Sequence, residues 1–185
     1  MIVSACRFVF IFALASLIAA CGLQKAPHAS GRRITSCTMA DITIRLDTGS
    51  AGVAAGTSYL PLDFTNRGRS RCLLAGFPQV AIAARRGGRQ IGAAATWDRS
   101  TDARPMALAG GQSAHIWLRL VEVANLPRAK CRPVQAAGLR IGLPGHSHTR
   151  FVPYPLVTCR RSVPGTDLLT VEPFRPGIAR HGSAQ

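Results

Sequence analysis

The sequence predicts an all-β domain: an antiparallel sandwich of about seven to nine short strands. Three observations predict it. Apolar residues recur with a period of two along most of the chain. Gly and Pro turn signals interrupt these runs every 8–12 residues. No stretch of twelve or more residues carries a 3.6-residue period with helix caps at its ends.

The segments follow in order. The chain opens "MIVSACRFVFIFALASLIAACG", with Arg7 the only charge before Lys25. A positive start, an apolar run over Phe8–Ala20 and small residues at its end make an export signal. That run is too short to span a bilayer, which needs about 20 apolar residues. "LIAAC", Leu17 to Cys21, resembles the bacterial lipobox. The resemblance implies cleavage of residues 1–20 and thioether lipidation of Cys21, so that acyl chains hold the protein on the lipid bilayer without a transmembrane helix. Cys6 falls inside the leader. Residues 21–36 are polar and rich in Pro, Gly and Ser, and read as a flexible tether reaching about 20 Å.

The folded domain is expected over 37–174. "DITIRLD" alternates Ile42, Ile44 and Leu46 against polar residues. "SYLPLDFTN" sets Leu60, Leu62 and Phe64 on one face, and Pro61 marks it as an edge strand or a bulge. "CLLAGFPQVAIAA" reads as two short strands broken at Gly76 and Pro78. Gly87-Gly88 signals a hairpin. "SAHIWLRLVEV" is the clearest strand: Ala114, Ile116, Leu118 and Leu120 face one way, His115, Trp117 and Arg119 the other. "VEVANLPRAKC" has room for one helical turn. "GLRIGLP" and "LLTVEPF" complete the pattern, and residues 175–185 read as a disordered tail.

Composition narrows the function. The chain holds 23 Lys+Arg against 8 Asp+Glu, and only Lys25 and Lys130 are lysines. A GC-rich genome explains arginine over lysine. It does not explain the missing acids. A basic surface favours anionic partners, and outside the cytoplasm these are headgroups and wall polymers. Four cysteines remain in the mature chain: Cys37, Cys72, Cys131 and Cys159. With no CxxC, an even count in an exported chain reads as disulfides rather than zinc or redox sites. Three pairings are open; the nearest-neighbour set, Cys37–Cys72 with Cys131–Cys159, is favoured. Each bridge would contribute about 3–4 kcal/mol.

The spacing of "TN-x-G" before "C-x-L-x-G-F-P" (Thr65 to Pro78), with "LAGGQSAHIWL", "C-x-P" at Cys131–Pro133, "GLRIGLPG", Cys159 and "LTVEPF", resembles a family of bacterial secreted and lipid-anchored proteins known as domain of unknown function 4232. Ala109 stands where that family's pattern has proline. The resemblance covers residues 37–174. It implies an immunoglobulin-like sandwich, export and two disulfides, and it implies no activity.

Candidate sites are few. "TNRGRSRC" (65–72) joins a turn at Asn66–Gly68 to Arg67, Arg69 and Arg71, a candidate anion surface with Arg85 and Arg86. Arg89, Arg160 and Arg161 extend the basic load. No aromatics interleave these clusters and no nucleic-acid motif is present, so nucleic acid is not an expected partner. Trp117, opposite the apolar stripe, is a candidate interface anchor, and Trp97 is a second unplaced tryptophan. His146 and His148 supply two imidazoles where a metal site needs three or four ligands, so neither metal nor cofactor is expected. G-x-S-x-G, S-x-x-K and H-E-x-x-H are absent, and Ser113 near His115 is the closest approach to a nucleophile and base. The expected role is a binding or structural module at the cell envelope, with anionic envelope polymers or an envelope protein as partner, not an enzyme; the alternative is a secreted hydrolase, metal-dependent or not.

Overall fold

The structure, a computed structural model, describes residues 34–180. The expected leader, Cys21 and most of the tether lie outside the described residues, as do residues 181–185. No helix among the described residues is long and apolar enough to cross a membrane.

Among the described residues fourteen strands follow in chain order: β1 (Thr35–Ser36), β2 (Ile42–Leu46), β3 (Gly52–Ala54), β4 (Thr57–Asn66), β5 (Cys72–Leu74), β6 (Gln79–Ala83), β7 (Gln90–Ile91), β8 (Thr96–Trp97), β9 (Met106–Leu108), β10 (Ser113–Val121), β11 (Pro133–Gly142), β12 (Thr149–Cys159), β13 (Leu169–Val171) and β14 (Arg175–Pro176). A 3-10 turn over Val123–Asn125 and one helical turn, α1 (Arg128–Cys131), follow β10. The first sheet runs β2-β4-β10-β13-β8, with β3 on β4 and β14 on β10. The second runs β12-β11-β6-β7, and a small third runs β1-β5-β9. Pairing is antiparallel except for β1 with β5 and β13 with β8. The domain is therefore predominantly β, as expected. Six strands have five or more residues, and the other eight have two or three, too few to leave a readable alternation.

All three sheets share one apolar core. Ile42, Leu62, Phe64, Ile116 and Leu118 of the first sheet meet Val80, Ile82, Leu139, Ile141 and Val152 of the second, and Cys72, Leu74 and Leu108 join from the third. Phe64 meets the Phe174 ring edge-on at 5.0 Å. The cysteines pair as favoured: Cys37–Cys72 ties the chain entering the fold to β5, and Cys131–Cys159 ties α1 to the end of β12.

Several expectations change. Pro61 lies on a central strand, not an edge. Its carbonyl accepts from the Asp47 N–H, so its nitrogen faces the same side, in the gap where β2 has ended and β3 has not begun. A missing donor costs nothing there. The longest strand, β12, left little signal, because Pro153 and Pro155 interrupt its pattern. It is an edge strand, where proline is tolerated. The tail starting at 175 is not loose over its first six residues. Pro176 pairs with Ala114, the Gly177 N–H donates to the Ser113 carbonyl, and the Ala179 N–H donates to Asp63 at 2.9 Å. The fold also begins before 37, since Thr35 and Ser36 pair with Cys72 and Leu73.

Trp117 needs a correction as a candidate partner surface: it is 2% exposed. β10 is buried on both faces from Ala114 to Leu118, where the alternation predicted one. The returning tail is part of the reason. It covers His115, whose Nδ1 donates to the Gly177 carbonyl at 3.1 Å. Trp117 stands beside Pro61 across the strand pair, and its carbonyl accepts from the Glu172 N–H. Its indole Nε1 has no hydrogen-bond partner among the described residues.

Candidate functional site

The eight acids of the chain are Asp41, Asp47, Asp63, Asp98, Asp102, Glu122, Asp167 and Glu172. None lies on the second sheet or its hairpins, residues 79–91 and 133–159. Those segments carry Arg85, Arg86, Arg89, Arg140 and Arg150. Arg150 is taken up by structure: its guanidinium donates to the Met39 and Ile42 carbonyls, each at 2.6 Å, and so ties β12 to the chain entering the first sheet. The other four form no ion pair with a carboxylate among the described residues.

Local sequence builds this face. Gly87 at φ +66° turns the β6–β7 hairpin and projects Arg85, Arg86 and Arg89 into solvent. Arg140 alternates outward between buried Leu139 and Ile141. Ala81 of β6 is the register partner of Arg140, and both line a depression there. Two shallow clefts of about 350 and 340 Å³ result, sharing Arg140 and Thr149. Arg85, Arg86 and Phe151 line one of them, and Gln79, Gln90 and Ser147 the other. Arg86 stacks over the Phe151 ring at 5.2 Å, and Arg140 donates to Gln90 Oε1 at 3.2 Å. Both contacts hold a guanidinium in place without neutralising it.

Arg67, Arg69 and Arg71 are exposed on the β4–β5 loop, and none of them lines these clefts. Their loop is a structural device. Asn66 is fully buried, and its amide donates to the carbonyls of Ser70 at 2.9 Å and Leu108 at 2.8 Å. Its side-chain oxygen accepts from the Gly68 N–H at 2.8 Å. The turn at Asn66–Gly68 is thus held by a side chain that mimics backbone, not by a left-handed residue. Gly110 packs against it so closely that a Cβ would stand 2.6 Å from the Gly68 carbonyl.

The first sheet handles charge differently. Arg119 pairs with Asp98 at 3.1 Å, and Arg175 with Glu172 at 3.7 Å. Hydrogen bonds from Ser100, then the charge of Arg119, hold Asp98 below the usual carboxylate range. Burial pushes Glu172 up, against the pull of Arg175.

The remaining candidates do not converge. His146 and His148 sit in the β11–β12 turn while His115 is buried under the tail. No group of three or more His, Cys, Asp or Glu that could hold a metal occurs among the described residues. The exposed tryptophan is Trp97, stacked on Phe77 at 5.4 Å with Arg99 over it at 5.1 Å.

A family model described as Domain of unknown function (DUF4232) matches residues 37–175. The chain belongs to this family. The matched span of the DUF4232 domain includes both disulfides, the Asn66 loop and the whole second sheet. No curated protein and no solved structure matches the chain.

Sequence reasoning found Arg85 and Arg86 but not Arg140. An isolated arginine in "GLRIGLP" looks like any outward strand residue. The stronger signal was negative: no acid occurs over 64–97 or 123–166.

Proposed function

We propose that this DUF4232 protein is a non-enzymatic binding module of the bacterial envelope, an immunoglobulin-like sandwich held on the extracytoplasmic face of the membrane by acylated Cys21. Its second sheet is the binding face, and its partner is an anionic envelope polymer. The observation that carries this reading is the segregation of acids: three arginines without carboxylate partners, Arg85, Arg86 and Arg140, line two clefts on a sheet with no acid, and Arg89 is exposed on the same hairpin. Clustered like charges oppose folding slightly and are relieved by a bound anion, so such a face gains from an anionic partner. The leader supports the location, and two disulfides suit an oxidising compartment.

Two measurements test it. Cys21→Ser should abolish labelling by palmitate and release the protein from membranes; retained labelling contradicts the anchor. A photocrosslinker at position 86 should capture an anionic polymer in intact envelopes, while one at exposed position 45 on the first sheet should not. Equal capture at both positions contradicts the assigned face.

A further inference from the structure

A further cavity is on neither arginine cleft. It has about 670 Å³ and opens where the start of β4, the end of β10, the 3-10 turn and the second half of β12 meet. That volume falls in the range of small-molecule sites. Leu120, Val123, Leu156, Val157 and Leu168 wall it.

Three of its polar groups, Ser58, Glu122 and Tyr154, act on one another. The Ser58 hydroxyl donates to Glu122 Oε1. The Glu122 N–H donates to the Gly56 carbonyl at 2.9 Å, fixing the backbone that carries the carboxylate. Tyr154 is half-buried; burial foremost, then the charge of Glu122, pushes its phenol up, which keeps it a neutral hydroxyl beside that carboxylate.

In a chain with a formal charge of +15, Glu122 forms no ion pair among the described residues. Arg128 lines the cavity, yet it is exposed and solvated and is not bonded to Glu122. A charge held in water contributes little to the potential inside; a half-buried carboxylate contributes more. The cavity therefore combines apolar walls with one carboxylate outside any ion pair and an aromatic ring near it, the combination that favours an organic cation.

We infer that this cavity binds a small amphiphilic cation, its ammonium on Glu122 and Tyr154 and its apolar body against Leu156 and Leu168. This site is independent of the arginine face.

The test uses the full chain in phosphatidylcholine nanodiscs, read by methyl NMR of Val123, Leu156 and Leu168. Phenethylamine, phenethyl alcohol and phenylacetate are titrated to about 10 mM, a scale set by the low affinity of fragments. Phenethylamine should shift these methyls and bind about tenfold tighter than the alcohol, with phenylacetate weaker still. Glu122→Gln should bring amine and alcohol to within about twofold. Val157→Trp, at an exposed wall position, should block the mouth and abolish the shifts without entering the core. If Glu122→Gln does not fold, the Val157→Trp result and the ligand series decide. Equal binding of amine and alcohol, tighter binding of phenylacetate, no shifts with any probe, or shifts that survive Val157→Trp each overturn the inference.

Discussion

The two large sheets share a core and differ in where their acids lie. The first is covered over part of its outer face: His115 and Trp117 are buried, Asp63 accepts a backbone N–H from the returning tail, and Arg119 and Arg175 have carboxylates, while Arg45 is exposed and forms no ion pair among the described residues. The second carries no acid and leaves Arg85, Arg86, Arg89 and Arg140 without carboxylate partners, although its strand β6 is buried on both faces. The acids are therefore unevenly placed: none lies on the second sheet. A codon bias would enrich arginine everywhere; it would not remove every acid from one sheet. The comparison separates a face used for stability from a face available for contact.

Four experiments can break or sharpen that division, in falling order of expected effect. Trp117→Ala on the first sheet should cost about 3–5 kcal/mol in urea unfolding, as a large buried side chain does. Arg86→Ala on the second should stay within about 0.5 kcal/mol. Similar costs for both would mean that the second face is structural too. Asn66→Ala should cost about 2–3 kcal/mol, because it leaves two carbonyls and the Gly68 N–H without partners. A cost near zero would show that water replaces the amide and that the arginine loop needs no internal brace.

Deleting residues 175–185 should cost about 1–3 kcal/mol by unpairing His115 and Asp63. It should also raise hydrogen exchange in β10 while leaving β6 and β11 unchanged. Faster exchange in the second sheet would show that the tail braces both.

The smallest effect is on pH. Asp98 titrates below its ordinary value near 3.8 in the fold. It contributes stability that is present above that value and lost as pH falls through the folded pKa. Glu172 is raised by burial, so it favours the fold below its ordinary value near 4.5 and loses that contribution as pH rises through the folded pKa. Asp98→Asn should cost about 0.5 kcal/mol at pH 7 and nothing at strongly acid pH, and Glu172→Gln should not destabilise at pH 7. Thermal midpoints across pH check both. The second sheet has no carboxylate, so Arg140→Gln should leave the acid limb of that profile unchanged.

How much of this was legible depended on whether the signal was local. The alternation of Ile42, Leu62 and Leu118 marks strands whose partners need not be known. β12 was hidden, since Pro153 and Pro155 are acceptable only because nothing pairs on its far side, a fact of topology. Trp117 looked exposed because one strand shows which face a residue takes, not whether a segment sixty residues later returns to cover that face. The disulfide pairing followed from sequence proximity. Arg85 and Arg86 were visible as a cluster, while Arg140 joins them only through the β6–β11 register.

The central claim is that the second sheet binds anions and the first does not. Co-sedimentation of the soluble Cys21→Ser protein with vesicles of anionic phosphatidylglycerol or neutral phosphatidylcholine tests it most directly. The lipid here stands in for any polyanion. The account predicts binding to the anionic vesicles that weakens steeply with salt, is lost about tenfold or more in an Arg85→Ser, Arg86→Ser, Arg140→Ser triple variant, and persists in an Arg67→Ser, Arg69→Ser, Arg71→Ser variant. Loss in the second variant with retention in the first would contradict it.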